Sequence, residues 1–281
     1  MTAGALVLLL LLPSALGWTP FGQDVSASDT WVKVNSSASD FEWFRERFGR
    51  NYEVNSPQFD RRLFFFQEST TRHAYLNSFS AALQSAKYGI NQFSDLSQRE
   101  FQDLYLRASA DRAPAFSGQK AKGLPAKFDW RDHAIVAPVQ NQQATRVKLV
   151  PQSEYPYKAQ TRMCHFFSGS HGGVGVKNFT ALGFSGQEEA MMGHLVKHGP
   201  LSVVVDALSW QDYLGGIIQY HCSSKRSNHA VLVVGYDTTG DIPYWIVQNS
   251  WGTTWGDKGY VYIKVGSNIC GIADSVAAVF L

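Results

Sequence analysis

Hydrophobic positions divide the chain into stretches with different periods. Ala5 to Leu12 is an unbroken apolar run closed by Pro13, Ser14, Ala15, Leu16 and Gly17. A short apolar core ending in small residues is the pattern of a secretory signal peptide over 1–17, and spanning a bilayer takes about 20 apolar residues. From Ser39 the period turns helical. Ser39 and Asp40 can cap a helix with Phe41, Phe44 and Phe48 on one face. Ser56-Pro57 opens a second helix running to Asn77, with Phe59, Leu63 and Phe66 in one stripe. Tyr88 to Phe93 alternates like a short strand, and Ser97 to Glu100 forms a capping box that opens a third helix with Phe101, Leu104 and Tyr105 inside. Residues 107–123 switch to Ala, Pro, Ser, Gly and Lys, an exposed linker suited to proteolytic cutting.

Beyond Leu124 the apolar runs become short and β-rich: Val203–Val205, Ala230–Tyr236, Tyr244–Val247, Tyr260–Val265 and Val276–Phe280, between Gly, Asp and Ser turns. This predicts a barrel or sandwich of antiparallel strands, preceded by one helix over Gln187–His198 that Gly199-Pro200 stops. The fold class is therefore α+β. A formal net charge of +2 without runs of like charge gives no reason to expect nucleic acid or a membrane surface as partner. The secretory route makes the sequons at Asn35 and Asn178 candidate glycosylation sites. Three cysteines, Cys164, Cys222 and Cys270, leave one thiol over if the others pair in an oxidising compartment.

Two longer motifs carry the chemistry. Gln248-Asn249-Ser250-Trp251-Gly252-Thr253-Thr254-Trp255-Gly256 resembles the asparagine signature of papain-like cysteine proteases, and Asn228-His229-Ala230-Val231-Leu232 resembles their histidine signature. Phe128-Asp129-Trp130-Arg131 is similar to the start of the mature enzymes, and Gly89-Ile90-Asn91-Gln92-Phe93-Ser94-Asp95 to a motif of their inhibitory propeptides. Trp210 to Ile218 and the Phe-rich helix resemble one cathepsin branch of the family. The resemblance covers Ser39 to Leu281 with one gap. It implies a papain-like fold with a helical inhibitory propeptide in 18–123 and a peptidase domain in 124–281 whose C-terminal half is barrel-like. By the same resemblance His229 is the general base and acid, Asn249 orients it, Trp251 shields their bond, and Gln142 supplies the oxyanion-hole amide. Cys222 and Cys270 resemble a family disulfide, which leaves Cys164 unpaired. Peptide or protein substrates, the chain's own propeptide, a monomeric state and no cofactor or metal follow from the same likeness.

The gap falls at the decisive position. In the family the nucleophilic cysteine lies six residues after the oxyanion glutamine; here that residue is Lys148, in Ala144-Thr145-Arg146-Val147-Lys148-Leu149. Lys148 precedes His229 by 81 residues, whereas papain-like enzymes separate cysteine and histidine by about 130–150. Roughly 50–70 residues are therefore missing, which truncates the helical domain and removes the partner expected for Cys164. Cys164 is a poor replacement nucleophile, because Met163 and Phe166-Phe167 read as strand rather than an electropositive helix start. His194 and His198 have zinc-compatible i, i+4 spacing but no third ligand, so a solvated helix face is expected. Three readings stay open: an inactive endopeptidase precursor of the secretory pathway, lysosome or cell exterior; an inhibitor acting in trans through Ser39–Arg107; and a product that misfolds.

Overall fold

The structure is a computed structural model that describes residues 38–79, 83–137 and 177–280, all within one structural unit. Helix α1 (Ala38–Arg47) and helix α2 (Pro57–Asn77) meet through the phenylalanines that share a face: Phe41, Phe44 and Phe66 are fully buried, with Phe48, Phe59, Leu63 and Ile90 around them. Ser56 caps α2 by accepting from Phe59 N at 3.1 Å. The next strand, β1, is only Lys87–Tyr88, shorter than the alternation predicts. The cause is Asn91, whose Oδ1 accepts from Phe93 N at 2.9 Å while Ser94 Oγ accepts from Asn91 N at 3.0 Å, bending the chain into a turn. Helix α3 (Gln98–Tyr105) has both arms of its capping box, Glu100 N to Ser97 Oγ at 3.0 Å and Ser97 N to Glu100 Oε2 at 3.1 Å. Phe101 and Tyr105 take its inner face, and Leu104, expected inside, is 57% exposed.

The β-rich body begins with β2 (Lys127–Asp129). It continues with β3 (Asn178–Leu182), helix α4 (Glu188–His198), β4 (Leu201–Val205), β5 (Tyr213–Gly215) and β6 (Ile217–Ile218). It ends with β7 (His229–Asp237), β8 (Tyr244–Gln248), β9 (Tyr260–Lys264) and β10 (Val276–Phe280). Eight strands form one sheet in the order β3-β10-β4-β7-β8-β9-β6, with β2 also on β7, and all pairs are antiparallel except β6 with β9. Gly235 lies where β2 crosses a bulge in β7: a Cβ there would meet Phe128 O at 2.5 Å, so only glycine fits. Two registers matter for the site. Val205 faces His229 across β4 and β7, and Leu232 faces Gln248 across β7 and β8.

One apolar core runs under the sheet and α4, built from Leu201, Val203, Val233, Trp245, Val247, Val261, Met191 and Leu195. Leu76, Tyr88, Phe93 and Phe101 of the N-terminal segment belong to the same core, and β1 pairs with β5. The segment is thus part of the folded body. Cys222 and Cys270 form a disulfide that ties the loop after β6 to the turn before β10. Among the described residues no helix is long and apolar enough to cross a membrane.

Glu188, in the first turn of α4, is the buried polar hub of this body. Its carboxylate accepts from Trp245 Nε1 at 2.9 Å, Gly266 N at 3.0 Å and Asn268 N at 2.9 Å. Glu188→Ala strands the buried Trp245 and Asn268 donors, at roughly 1–3 kcal/mol each, and the half-buried Gly266 N–H. We expect a loss of at least about 2 kcal/mol in urea unfolding; a loss below about 1 kcal/mol would contradict this role.

Candidate active site

His229 opens β7 and Asn249 immediately follows β8, so pairing of these strands brings the two side chains to one end of the sheet. His229 Nε2 lies 2.8 Å from Asn249 Oδ1, and both residues are 3% exposed. An amide oxygen only accepts, so Nε2 carries the hydrogen and Nδ1 is left as the basic nitrogen. The Trp251 indole stacks on the imidazole at 4.7 Å and 29°, closing the bond off from water. Trp255 packs on Trp251 at 4.8 Å, and Trp210 sits 6.2 Å from His229. Asn249 Nδ2 is buried without a partner among the described residues. Burial pushes the His229 pKa down to about 4, against the upward pull of hydrogen bonds to Asn249 and to the Tyr105 main chain.

The N-terminal segment covers this pair. Gln92 Nε2 donates to Trp251 O at 2.9 Å, and Thr254 Oγ1 donates to Gln92 Oε1. The rings of Phe93, Phe101 and Tyr105 pack on Trp251 at 5.8, 5.2 and 6.1 Å. Tyr105, at the end of α3, reaches the imidazole through its main chain. The chain then runs on as the linker, exposed as its composition indicates but hydrogen-bonded to the body. Ala108 N donates to Asn228 O at 3.1 Å, and Ala110 N donates to Ser227 Oγ at 3.1 Å. Phe116 stacks on Phe184 at 4.9 Å.

The sequence-derived positions sort as follows. His229, Asn249 and Trp251 come together. Gln142, Lys148, Cys164 and the sequon at Asn35 lie outside the described residues, as does the region where the helical domain is expected to be truncated. Asn178 is exposed at the start of the edge strand β3. The rings of His194 and His198 lie 4.7 Å apart and pack on aromatic rings, His194 on Phe184 at 5.1 Å and His198 on Phe280 at 5.4 Å. Gln92, Tyr105 and Trp210 were not singled out as site residues: the first two act through contacts more than 100 residues apart in the chain, and Trp210 lies outside both signature motifs.

The sequence profile of papain family cysteine proteases matches residues 144–280. Human cathepsin O is 43% identical over 284 aligned positions, which take in 79% of this chain and 88% of the relative. Mouse cathepsin O is 42% identical, with 76% and 88% covered. Procathepsin L 3 of Tenebrio molitor larval midgut superposes with a TM-score of 0.71 at 26% identity, covering 88% of this chain and all of that one. The stem bromelain precursor gives a TM-score of 0.72 at 25% identity, with 86% and 98% covered. This chain belongs to the papain family of cysteine proteases. Its relationship to cathepsin O agrees with the branch that Trp210–Ile218 and the Phe-rich helix resemble. The alignment to human cathepsin O has 284 positions, but 79% of 281 residues supplies only about 222, so about 60 positions of this papain-family relative meet no residue here.

The depressed pKa of His229 has a sign for stability. An imidazole ordinarily titrates near 6.5, and this one binds its proton only near pH 4, so the folded chain holds fewer protons between those values. Stability falls as pH drops through that window, by on the order of 2–3 kcal/mol from this residue. His194, His198 and His221 shift the same way through burial, so the test compares slopes. Urea unfolding at pH 7 and pH 4.5 should show a shallower pH dependence for His229→Gln than for the parent chain. Identical slopes would contradict the assignment.

Proposed function

We propose that the chain is the precursor of a cathepsin-type endopeptidase from which the nucleophile-bearing segment is missing, so that it does not hydrolyse peptides itself. The observation that carries this reading is a buried His229–Asn249 pair in a sequence whose six-residue spacing from Gln142 ends at Lys148. A complete site works through a thiol that gives its proton to Nδ1 of the imidazole and attacks the peptide carbonyl. The imidazolium then returns the proton to the leaving amine, and water hydrolyses the thioester. Asn249 would hold the ring, Trp251 would keep water from their bond, and Gln142 would donate to the oxyanion. The imidazole, its orienting amide, the shielding indole and the oxyanion glutamine are encoded, whereas the thiol and the segment that carries it are not.

Lysine does not substitute, because an ammonium must first lose its proton to act as a nucleophile. Removing one member of a catalytic unit costs about 10⁶ in rate in subtilisin, which sets the scale of the loss. The 81-residue spacing to His229, the roughly 60 unmatched positions of human cathepsin O and the odd cysteine count support a missing segment over a point substitution. The family match also begins only at Ala144, beside the interruption. In this reading residues 1–17 are a signal peptide and 18–123 an inhibitory propeptide with its linker. Residues 124–281 are the truncated peptidase, bound for the lysosome or the cell exterior, with Asn35 and Asn178 open to glycosylation.

A fluorogenic peptide assay between pH 5 and 7 tests the proposal. The purified chain should give no turnover above buffer. Inserting the unmatched cathepsin O residues between Gln143 and Val147 should give turnover that a thiol reagent abolishes. Thiol-sensitive hydrolysis by the chain as it stands would overturn the reading.

A further inference from the structure

Past the catalytic pair the linker crosses the far end of the sheet, where its contacts change in kind. Helix α2 is held by charge, with Arg72 Nη2 donating to the buried Asp212 carboxylate at 2.9 Å. At the far end the body recognises backbone. Ala113 N donates to Asp274 O at 3.1 Å, Gly183 N donates to Pro114 O at 2.8 Å, and Phe116 N donates to Gly183 O at 2.8 Å. Ala115 and Gly183 thus form a parallel β-bridge. Gly183 directly follows β3, the strand at which the sheet ends, and a sheet edge presents N–H and C=O groups to any chain that can lie along it.

The sequence of this stretch suits the position. Proline has no N–H to leave unpaired at an edge, and it holds itself and the residue before it extended. Gly183 lets the two chains approach, since a Cβ there would meet Ala113 O at 2.9 Å. Phe116 supplies the side-chain anchor. Its ring stacks on Phe184 at 4.9 Å and 25° and meets His194 edge to face at 5.4 Å and 77°. Phe184 is fully buried in the main core, so the floor under the ring is part of the body rather than of the linker. Gln187 Nε2 donates to Phe116 O at 3.2 Å. Main-chain bonds at a sheet edge accept any extended chain, and a pocket for one side chain selects among them.

We propose that Gly183, Phe184 and His194 form a peptide-docking groove, selective for an extended segment with an aromatic residue two positions after a proline. Residues 113–116 fill it in this chain, and once the linker is removed the groove takes such a segment from another polypeptide. A tethered linker competes at an effective concentration of about millimolar, so it excludes a peptide in trans until then. Opening of the groove by processing rests on the reading of 18–123 as a propeptide, whereas the groove itself stands on geometry.

Fluorescence anisotropy with a labelled peptide of residues 111–119 tests this on the full chain. Phe116→Pro removes both the ring and the N–H donated to Gly183 O, which releases the linker. The peptide should bind that variant with micromolar Kd and the parent chain at least about tenfold more weakly. Phe116→Ala, which loses the ring alone, serves if the proline variant does not fold. A peptide with alanine in place of its phenylalanine should bind at least about tenfold more weakly than the original. Adding Gly183→Ala, whose Cβ occupies the path of the docked main chain, should remove binding, and His194→Ala should weaken it if that chain does not fold. Protection of β7 and β8 amides from hydrogen exchange shows that each variant is folded. Equal affinity for the parent and Phe116→Pro chains, no binding to either, or indifference to the aromatic anchor would overturn the proposal. Peptide hydrolysis by the chain would defeat the inactive-precursor reading without moving these affinities.

Discussion

The bond from His229 Nε2 to Asn249 Oδ1 organises this molecule, and it depends on strand register. The histidine begins β7 and the asparagine follows β8, so they meet only while those two strands pair with Leu232 opposite Gln248. A slip of one residue would send every side chain to the other face. Trp251, Trp255 and Trp210 then wall the pair off from solvent. That makes the bond strong and leaves the imidazole neutral, which is the state a general base needs. The geometry is that of a prepared proton acceptor.

The N-terminal segment completes the enclosure. Phe93 and Phe101 lie in the same core as Trp251, β1 adds to β5, and Gln92 satisfies the main chain and hydroxyl beside the histidine. Because this surface is shared, the segment and the body stabilise one another, and dry burial of His229 is a property of their union. Polar contacts at the interface divide by chemistry: imidazoles disfavour a proton there, while the Asp212 carboxylate is held ionised by a guanidinium. Both groups bind fewer protons when folded, so both contributions fall with acid, the imidazole's first and the carboxylate's only below the ordinary carboxylate range.

Legibility in the sequence followed how local each cause is. The capping box at Ser97, the Pro57 start of α2 and the Gly199 stop of α4 are local signals, and those helices stand where the pattern places them. The strand predicted through Phe93 ends at Tyr88, because the side chain of Asn91 competes for the backbone. Strand β3 escaped notice: it is an edge strand whose Phe179 is 64% exposed, so it has no clear inward alternation. His229, Asn249 and Trp251 were legible through long motifs. Asp212 was not, since nothing near it in the sequence tells of Arg72, 140 residues away.

The central claim is that no sulfur stands where His229 could take its proton. The most direct test is to treat the purified chain with an epoxide reagent selective for papain-type thiols and weigh the intact protein. Cys222 and Cys270 are joined, and Cys164 is the remaining thiol. The account predicts an unmodified mass. A stoichiometric adduct on Cys164 that disappears in the His229→Gln variant would contradict it.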